Sequence, residues 1–497
     1  MEYAILGGGA LGLMAGYRLA QAGHHVMVFE RENIAGGLAG GFHVGDDGEA
    51  WLEKFYHHLF RSDTTAIATI KELGLGERLA WSHPRTVTLT EGKIYQLDSA
   101  LSLLQFSPLH FVERIRLGAV IAFLKVTNSA PLEGKTAAPW LRRWTGKRAY
   151  EVLFEPMLTA KFGAMYEQIA LPWLWARFHD RTTYLGYVRG GFQLVYEKLV
   201  EKIHAAGGKV LLGTRVDKVE QGEDERWQVQ TSAGTWTFDR VISTLPTRLT
   251  CRLVPALPQD YRNKYEWGQA YGAQCLILAL DRQLTDSYWI NICDPGYPFT
   301  GLFEHTNFRP AGEYGGRHLV YLGNYRPMDD PLFKMSKEEI LQGFLPHLKR
   351  IRPDFEPEWV KESWLFSAPF AQPIVTTDYR EHIPPLHTPL KGLWVANMFQ
   401  IYPHDRGQNY SFDLANRLVR SVILSASEGS LAGQRSFAGA QDDAPDQSIC
   451  QIERVVLPAI VWVNLEHVRH PQALERRMQG RNMLAISGGH NRLGKGS

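Results

Sequence analysis

Gly7, Gly9 and Gly12, in the stretch "YAILGGGALGLMAGYRLAQAGHHVMVFE", have the G-x-G-x-x-G spacing that cradles a dinucleotide pyrophosphate. Gly7 permits a tight turn, Gly9 lets the backbone approach the pyrophosphate, and Gly12 lets a helix pack closely on a strand. Glu30 stands where a carboxylate accepts hydrogen bonds from the adenosine ribose, and its charge would repel a 2′-phosphate. Gly36-Gly37 follows six residues later, trailed by Leu38 and Ala39. Such a pair lets a second loop press on the same pyrophosphate. Nicotinamide and flavin dinucleotides share this fingerprint, so other residues must choose between them.

Positioning these groups needs a strand, a helix and a second strand. Tyr3 to Leu6 is the apolar run of a buried parallel strand. A helix from about Ala10 to Gln21 follows, with Leu13, Tyr17 and Ala20 at helical spacing, and His25 to Phe29 reads as the second strand. The fold class is therefore α/β, with a Rossmann-like dinucleotide-binding domain. Residues 1–63 form its first part. Residues 64–182 are mainly helical in period, with a strand-like insert at "RTVTLTEGKIYQL"; their tryptophans, including Trp140, Trp144, Trp173 and Trp175, are expected in the core. Residues 183–246 return to the first domain through a helix (about Phe192 to Ala206), an antiparallel meander and a buried strand, Val241 to Leu245. Residues 247–384 read as a substrate-domain sheet with a helix near Lys337 to Arg350. Residues 385–424 supply a last strand (Leu393 to Ala396), a polar loop and a helix from about Asn409. Residues 425–497 are rich in Ser, Gly, Ala and Gln, with too few large apolar side chains to offset the entropy of ordering, and are expected to be disordered.

Composition removes several function classes. Fifty-four Lys and Arg against 52 Asp and Glu leave a net charge of +2, with no basic arm to suggest nucleic acid. Cys251, Cys275, Cys293 and Cys450 are far apart, which fits a reducing compartment and neither a disulfide framework nor a metal site. A strand beginning directly after Met1 leaves no room for a signal peptide, and no apolar run approaches the roughly 20 residues of a spanning helix. A cytoplasmic protein is expected. Peripheral membrane contact is suggested by "LHFVERIRLGAVIAFLKV" (Leu109 to Val126), where Arg114 and Arg116 adjoin an apolar run. Burial of that helix in the substrate domain is the stronger expectation.

The chain resembles the flavin-containing amine oxidase superfamily, which includes protoporphyrinogen oxidases and carotenoid desaturases. The residues that carry the likeness are the two glycine motifs with Glu30, "GGFQLVYEKL" leading to "TRVDKV", "DRVISTLP", and the closing "GLWVANMFQIYPHDRGQNY". It is closest to a bacterial branch with "EKFYHHLF"-like and "YPxDRGxNY"-like runs. The resemblance implies FAD, held in a GR2-type Rossmann domain with an interleaved helical and mixed-sheet substrate domain. It implies cofactor contacts from Arg31, from Phe55 and Tyr56, from the backbone of Val216, from Asn397, and from Arg406, Gly407, Gln408, Asn409 and Tyr410. At Gly407 a helix N-terminus would offer N–H groups and a positive dipole end to a reduced flavin. Two positions depart from the family: Asn397 stands where an acid is usual, and Leu38 where an arginine is frequent.

For chemistry, the resemblance carries Lys54, Phe55, Tyr56 and His57 past the flavin ring. His57 or His58 could serve as a base, against the plainer reading of one structural and one solvated histidine. Arg406 could hold a substrate anion or the flavin edge, against a surface ion pair; Tyr402, His404 and Tyr410 belong to the same set. The implied activity is oxidation of a bulky, apolar small molecule by an oxidase or desaturase. Two alternatives stand beside it: a non-redox flavoenzyme resembling UDP-galactopyranose mutase, with Arg380 and Arg406 on a diphosphate, and a flavin-binding protein without turnover.

Overall fold

The computed structural model describes residues 1–44, 50–404 and 406–431. A five-stranded parallel sheet forms the dinucleotide half, in the order Lys209–Leu211, β2 (His25–Phe29), β1 (Glu2–Leu6), Arg240–Ser243, Leu393–Val395. Its strands come from three separated stretches of chain. Central β1 is fully buried from Tyr3 to Leu6, which is why it reads as an uninterrupted apolar run rather than an alternating one. Helix α1 (Ala10–Gln21) packs on this sheet beside Gln193–Ala205 and the C-terminal helix Gln408–Leu431. That last helix runs past Leu424, so the boundary expected at 424 falls inside an element. The tail from residue 432 onward, Cys450 included, lies outside the described residues. The meander is present as an antiparallel trio: Val216–Gln221, Trp227–Thr231 and Gly234–Phe238.

The second sheet has seven strands, ordered Val360–Pro373, Ala270–Leu280, His318–Arg326, Gly301–Glu304, Trp289–Ile292, Thr86–Thr90, Lys93–Gln96. The strand-like insert of the helical segment thus joins the edge of this sheet, pairing in parallel with Trp289–Ile292. Alternation sorts the long strands into two faces. Leu276, Leu278, Val320 and Leu322 pack against the helix Lys337–Ile351 through Ile340, Phe344 and Leu348. Ser336 and Glu339 start that helix with a reciprocal capping box. Ile277, Phe303 and Tyr321 face the other way, into the core shared with α1 and the glycine loops.

The helical segment has its own core, built from Phe111–Val126, Ala137–Thr145 and Leu171–His179. Trp173 and Trp175 are buried there as expected, but Trp144 is half exposed. The burial expected for the Phe111–Val126 helix also needs correction. Only Leu117, Val120 and Leu124 are buried, and several large apolar side chains on its other side face outward. Among the described residues, no helix is long and apolar enough to cross a membrane.

Candidate functional site

The two glycine loops meet backbone to backbone. Gly7, at φ +105°, turns the chain out of β1, and its N–H donates to Phe29 O at 2.8 Å. A Cβ on Gly12 would lie 2.0 Å from Gly7 O, so only glycine lets α1 begin this close to the strand. Gly36 N donates to Gly8 O at 2.9 Å, and Gly9 and Gly36 form a parallel bridge. Gly9 itself is different. A Cβ there would meet nothing nearer than Gly37 Cα at 3.9 Å, so the space it faces is not filled by protein. Gly9 is the N-cap of α1, with no side-chain cap and no acid in the first turn. Open volume and free amides at a helix start fit a pyrophosphate on sterics and on charge.

Glu30 is buried at the end of β2. Its Oε2 accepts from Gly8 N at 2.8 Å and its Oε1 from Glu32 N at 2.9 Å. A carboxylate has about four lone-pair positions, so two donors leave acceptor capacity for ribose hydroxyls. Arg31 points outward and pairs with Glu32. Thr214 N donates to Glu30 O at 2.7 Å, which brings Arg215 and Val216 beside the ribose acid.

The returning strand and helix close the other side. Asn397 is buried, and its amide is committed: Nδ2 donates to Leu245 O and Thr247 Oγ1, and Oδ1 accepts from Phe399 N. An aspartate would lack the amino donor for the two oxygens, which accounts for the amide here. Gln408 and Asn409 open the last helix and are anchored by Tyr196 O–H and Ala66 N–H donors. Asp180 Oδ2 accepts from Tyr410 O–H at 2.8 Å and lies 2.7 Å from His404 Nδ1, tying the loop to the helical segment. Sequence reasoning missed Asp180; an acid closing the helix Leu171–His179 in "FHDRTTY" was the available signal.

A second cluster brings together residues far apart in sequence. Tyr56 OH lies 3.1 Å from Tyr325 OH, and Arg406 Nη2 donates to that same Tyr325 oxygen at 3.0 Å. Arg406 Nε reaches Gln372 Oε1 at 3.4 Å. This set links Phe55–Tyr56 to Arg406 through Tyr325 and Gln372, two residues not singled out from sequence. Their signal was period two: Tyr321, Gly323 and Tyr325 share one face, and a Cβ on Gly323 would lie 2.9 Å from Tyr56 Cε1. Leu38, directly after the second glycine pair, shares an apolar patch with Phe55, Tyr325, Ala273, Ala368 and Ala371. That patch connects the glycine loops to the tyrosines.

Both adjacent histidines are part-buried and hydrogen-bonded. His57 Nδ1 lies 2.5 Å from Phe55 O, so Nδ1 carries the proton and Nε2 the lone pair. Burial lowers its pKa to about 4, with Arg406 adding to the effect. His58 Nδ1 lies 3.0 Å from Tyr288 OH, and burial lowers it to about 3. Both rings are neutral at pH 7. Burial holds the Tyr56 phenol well above its ordinary value, so it too stays neutral and keeps its proton. Just upstream, Glu53 is fully enclosed: Tyr187 O–H donates to it at 2.8 Å, Phe192 N–H at 2.7 Å, and Tyr321 O–H donates to its carbonyl. A cavity of about 710 Å³ lies between the helical segment and the second sheet, lined by Thr136, Met165, Gln168, Trp267, Ile374 and Asp378 among others.

Comparison with known proteins agrees with this geometry. Residues 12–404 match the profile of the flavin containing amine oxidoreductases. An 81-residue stretch is 36% identical to the 15-cis-phytoene desaturase of Synechococcus elongatus, covering 16% of this chain and 17% of that protein's length. A protoporphyrinogen oxidase-like structure from Exiguobacterium sp. 255-15 superposes with a TM-score of 0.69 at 18% identity, over 85% of this chain and 99% of that one. Putrescine oxidase bound to putrescine gives 0.62 at 16% identity (85% and 99%). Reduced UDP-galactopyranose mutase gives 0.67 at 14% (87% and 97%), so the fold alone does not separate redox from non-redox members. The chain belongs to the flavin-containing amine oxidoreductase family and is an FAD-dependent oxidoreductase.

Proposed function

We propose that this enzyme oxidises a bulky small molecule whose reacting carbon is held on an apolar surface between the helical segment and the second sheet. Gly7, Gly9, Gly12 and residues 36–39 would hold the FAD pyrophosphate, Glu30 the ribose, and the backbones of Arg31 and Val216 the adenosine end. Asn397 and residues 406–410 would line the return side, and Phe55 and Tyr56 the ring. Bound there, FAD supplies at N5 the acceptor for a hydride from a substrate C–H. The observation that carries the reading is the convergence of Tyr56, Tyr325 and Arg406 beside the Leu38–Phe55 alanine patch.

In this reading the chain's own groups position and exclude water. Arg406, braced by Tyr325 and Gln372, presents its charge to a substrate anion or to the flavin edge. Ala273, Ala368 and Ala371, buried against Leu38, Phe55 and Tyr325, would form an apolar wall that offers a substrate no polar competition. His57 keeps its Nε2 lone pair free of a proton, as a base must, although a pKa of about 4 makes it a weak one. The polar lining near Gln168 and Asp378 suits a substrate's hydrophilic end.

The two-arginine diphosphate clamp of a mutase finds less support. Arg406 is engaged with Tyr325 and Gln372, whereas Arg380 is exposed on the turn Tyr379–His382. Anaerobic screening for substrate-driven bleaching of the flavin tests the proposal. If dithionite-reduced enzyme interconverts a sugar nucleotide while no candidate substrate bleaches the oxidised form, the redox reading is wrong.

A further inference from the structure

A water-facing helix surface should be polar, and the Phe111–Val126 helix breaks that rule along its whole length. Val112, Ile115, Ala119, Phe123 and Val126 follow one another at spacings of three or four residues, and all are exposed. Val112 is 76% and Val126 84% accessible. Because Leu117, Val120 and Leu124 already fill the inward face, the outer stripe is a second apolar face rather than a misplaced core. At ~1.5 Å per residue the stripe is ~21 Å long.

Neighbouring elements extend it. Arg114 donates to Leu104 O at 2.6 Å and Leu109 O at 2.7 Å, fixing the short helix that carries exposed Leu101. Arg116 donates to Trp144 O and Arg143 O, so half-exposed Trp144 is held on the same rigid unit. Phe123, Trp140 and Trp144 form a ladder with ring centroids 6.3 Å apart at each step. Residues 100–148 contain eight Lys or Arg against two Glu; Arg142, Lys147 and Arg148 pair with Glu155, Glu151 and Glu91, and the other five cations still outnumber Glu113 and Glu133.

We infer that this face is an in-plane docking surface for an anionic phospholipid membrane. Apolar side chains along one helix, a tryptophan at the rim and guanidinium groups beside it match the layers of a bilayer interface. The helix is too short to span, and its other face is packed, so it lies on the membrane rather than in it. A second copy of the chain is the poorer occupant, because a two-fold contact here would set this excess of positive charge against itself. The inference does not depend on which substrate is oxidised.

Flotation of the full-length, FAD-loaded protein with vesicles of phosphatidylcholine, with and without phosphatidylglycerol, tests it. Wild type is expected to float with the anionic vesicles, and added salt should weaken the association. The double variant Val112→Glu, Val126→Glu should lower the floating fraction about tenfold or more, with flavin content and melting temperature unchanged because both positions are exposed. Wild type absent from the anionic floating fraction would overturn the inference. So would light scattering that shows a wild-type dimer which the same variant converts to monomer.

Discussion

Glu53 offers a test of how the site's foundation is held. Its carboxyl is fully buried, and desolvation raises it from an ordinary 4.5 to about 7 despite hydrogen bonds from Phe192 N–H and Tyr187 O–H. A raised acid binds its proton more tightly in the folded state, so stability is greatest when both states are protonated. It is lost as pH rises from 4.5 to about 7, then levels off. At about 1.4 kcal/mol per pKa unit the loss is ~3 kcal/mol, most of it visible between about pH 5 and about pH 8. Other buried groups titrate in the same range. Glu304, also raised to about 7, adds a slope of the same sign. His57, His58 and His305, buried and neutral, add the opposite slope, because acidification below 6.5 protonates the unfolded chain first.

Glu53→Gln isolates one contribution from this background. The amide keeps an acceptor for Phe192 N–H and replaces the carboxylate with a group that never ionises. Thermal unfolding of wild type and variant across the same pH series gives a difference in which the other groups cancel. The variant should gain relative to wild type by ~2–3 kcal/mol from the acid to the alkaline end, a shift of a few degrees for a chain of this size. Parallel curves would refute the reasoning, since they would mean that Glu53 has the same affinity for its proton in both states.

Other outcomes follow from the same contacts. Gly9→Val should yield folded protein without flavin, because its added Cβ meets only Gly37 Cα; Gly12→Ala, whose Cβ would strike Gly7 O, should lower the melting temperature instead. Flavin absorbance per protein and thermal unfolding separate the two, and loss of fold in Gly9→Val would refute the assignment of that space. Tyr325→Phe removes the oxygen shared by Arg406 and Tyr56. At ~1.5–3 kcal/mol for a hydrogen bond to a charged group, substrate-driven flavin reduction should slow ~10- to 100-fold, and an unchanged rate would remove Tyr325 from the site. Asp180→Asn weakens the hold on His404 and Tyr410, so limited proteolysis near residues 402–410 should accelerate; equal cleavage rates would show that the loop is held elsewhere.

The parts of this site that could be read in advance are those whose chemistry is local. Gly7 and Gly12 are forced by local backbone geometry and Gly9 by the open space it leaves for a ligand, all within one short loop, so type and spacing suffice. Glu30 was legible for the same reason. Tyr325, Gln372, Asp180 and Glu53 were not, because the partners that bring them to the site are distant in sequence: Tyr325 meets Arg406 across 81 positions and Glu53 meets Tyr187 across 134. A tyrosine in an apolar strand looks like core until the opposite element is known. The apolar helix misled in the other direction. Leu117, Val120 and Leu124 satisfy the expectation of a buried face, and periodicity alone does not reveal that Val112, Ile115 and Val126 stay exposed among the described residues.

This difference also bears on where the enzyme's individuality lies. The glycine loops and the parallel sheet meet constraints imposed by a dinucleotide, and any chain that binds one must meet them similarly. In the reading proposed above the second sheet and helical segment would answer to the substrate instead, and there the choices are specific: alanines at 273, 368 and 371 against Leu38 and Phe55, and a tyrosine at 325 whose oxygen accepts from Arg406. The Tyr325 oxygen accepts from the Arg406 guanidinium and so helps to fix its orientation. In the reading proposed above, Arg406 would meet either an anionic group of the substrate or the flavin edge. Tyr325 is therefore the residue whose replacement most directly asks which of the two it serves.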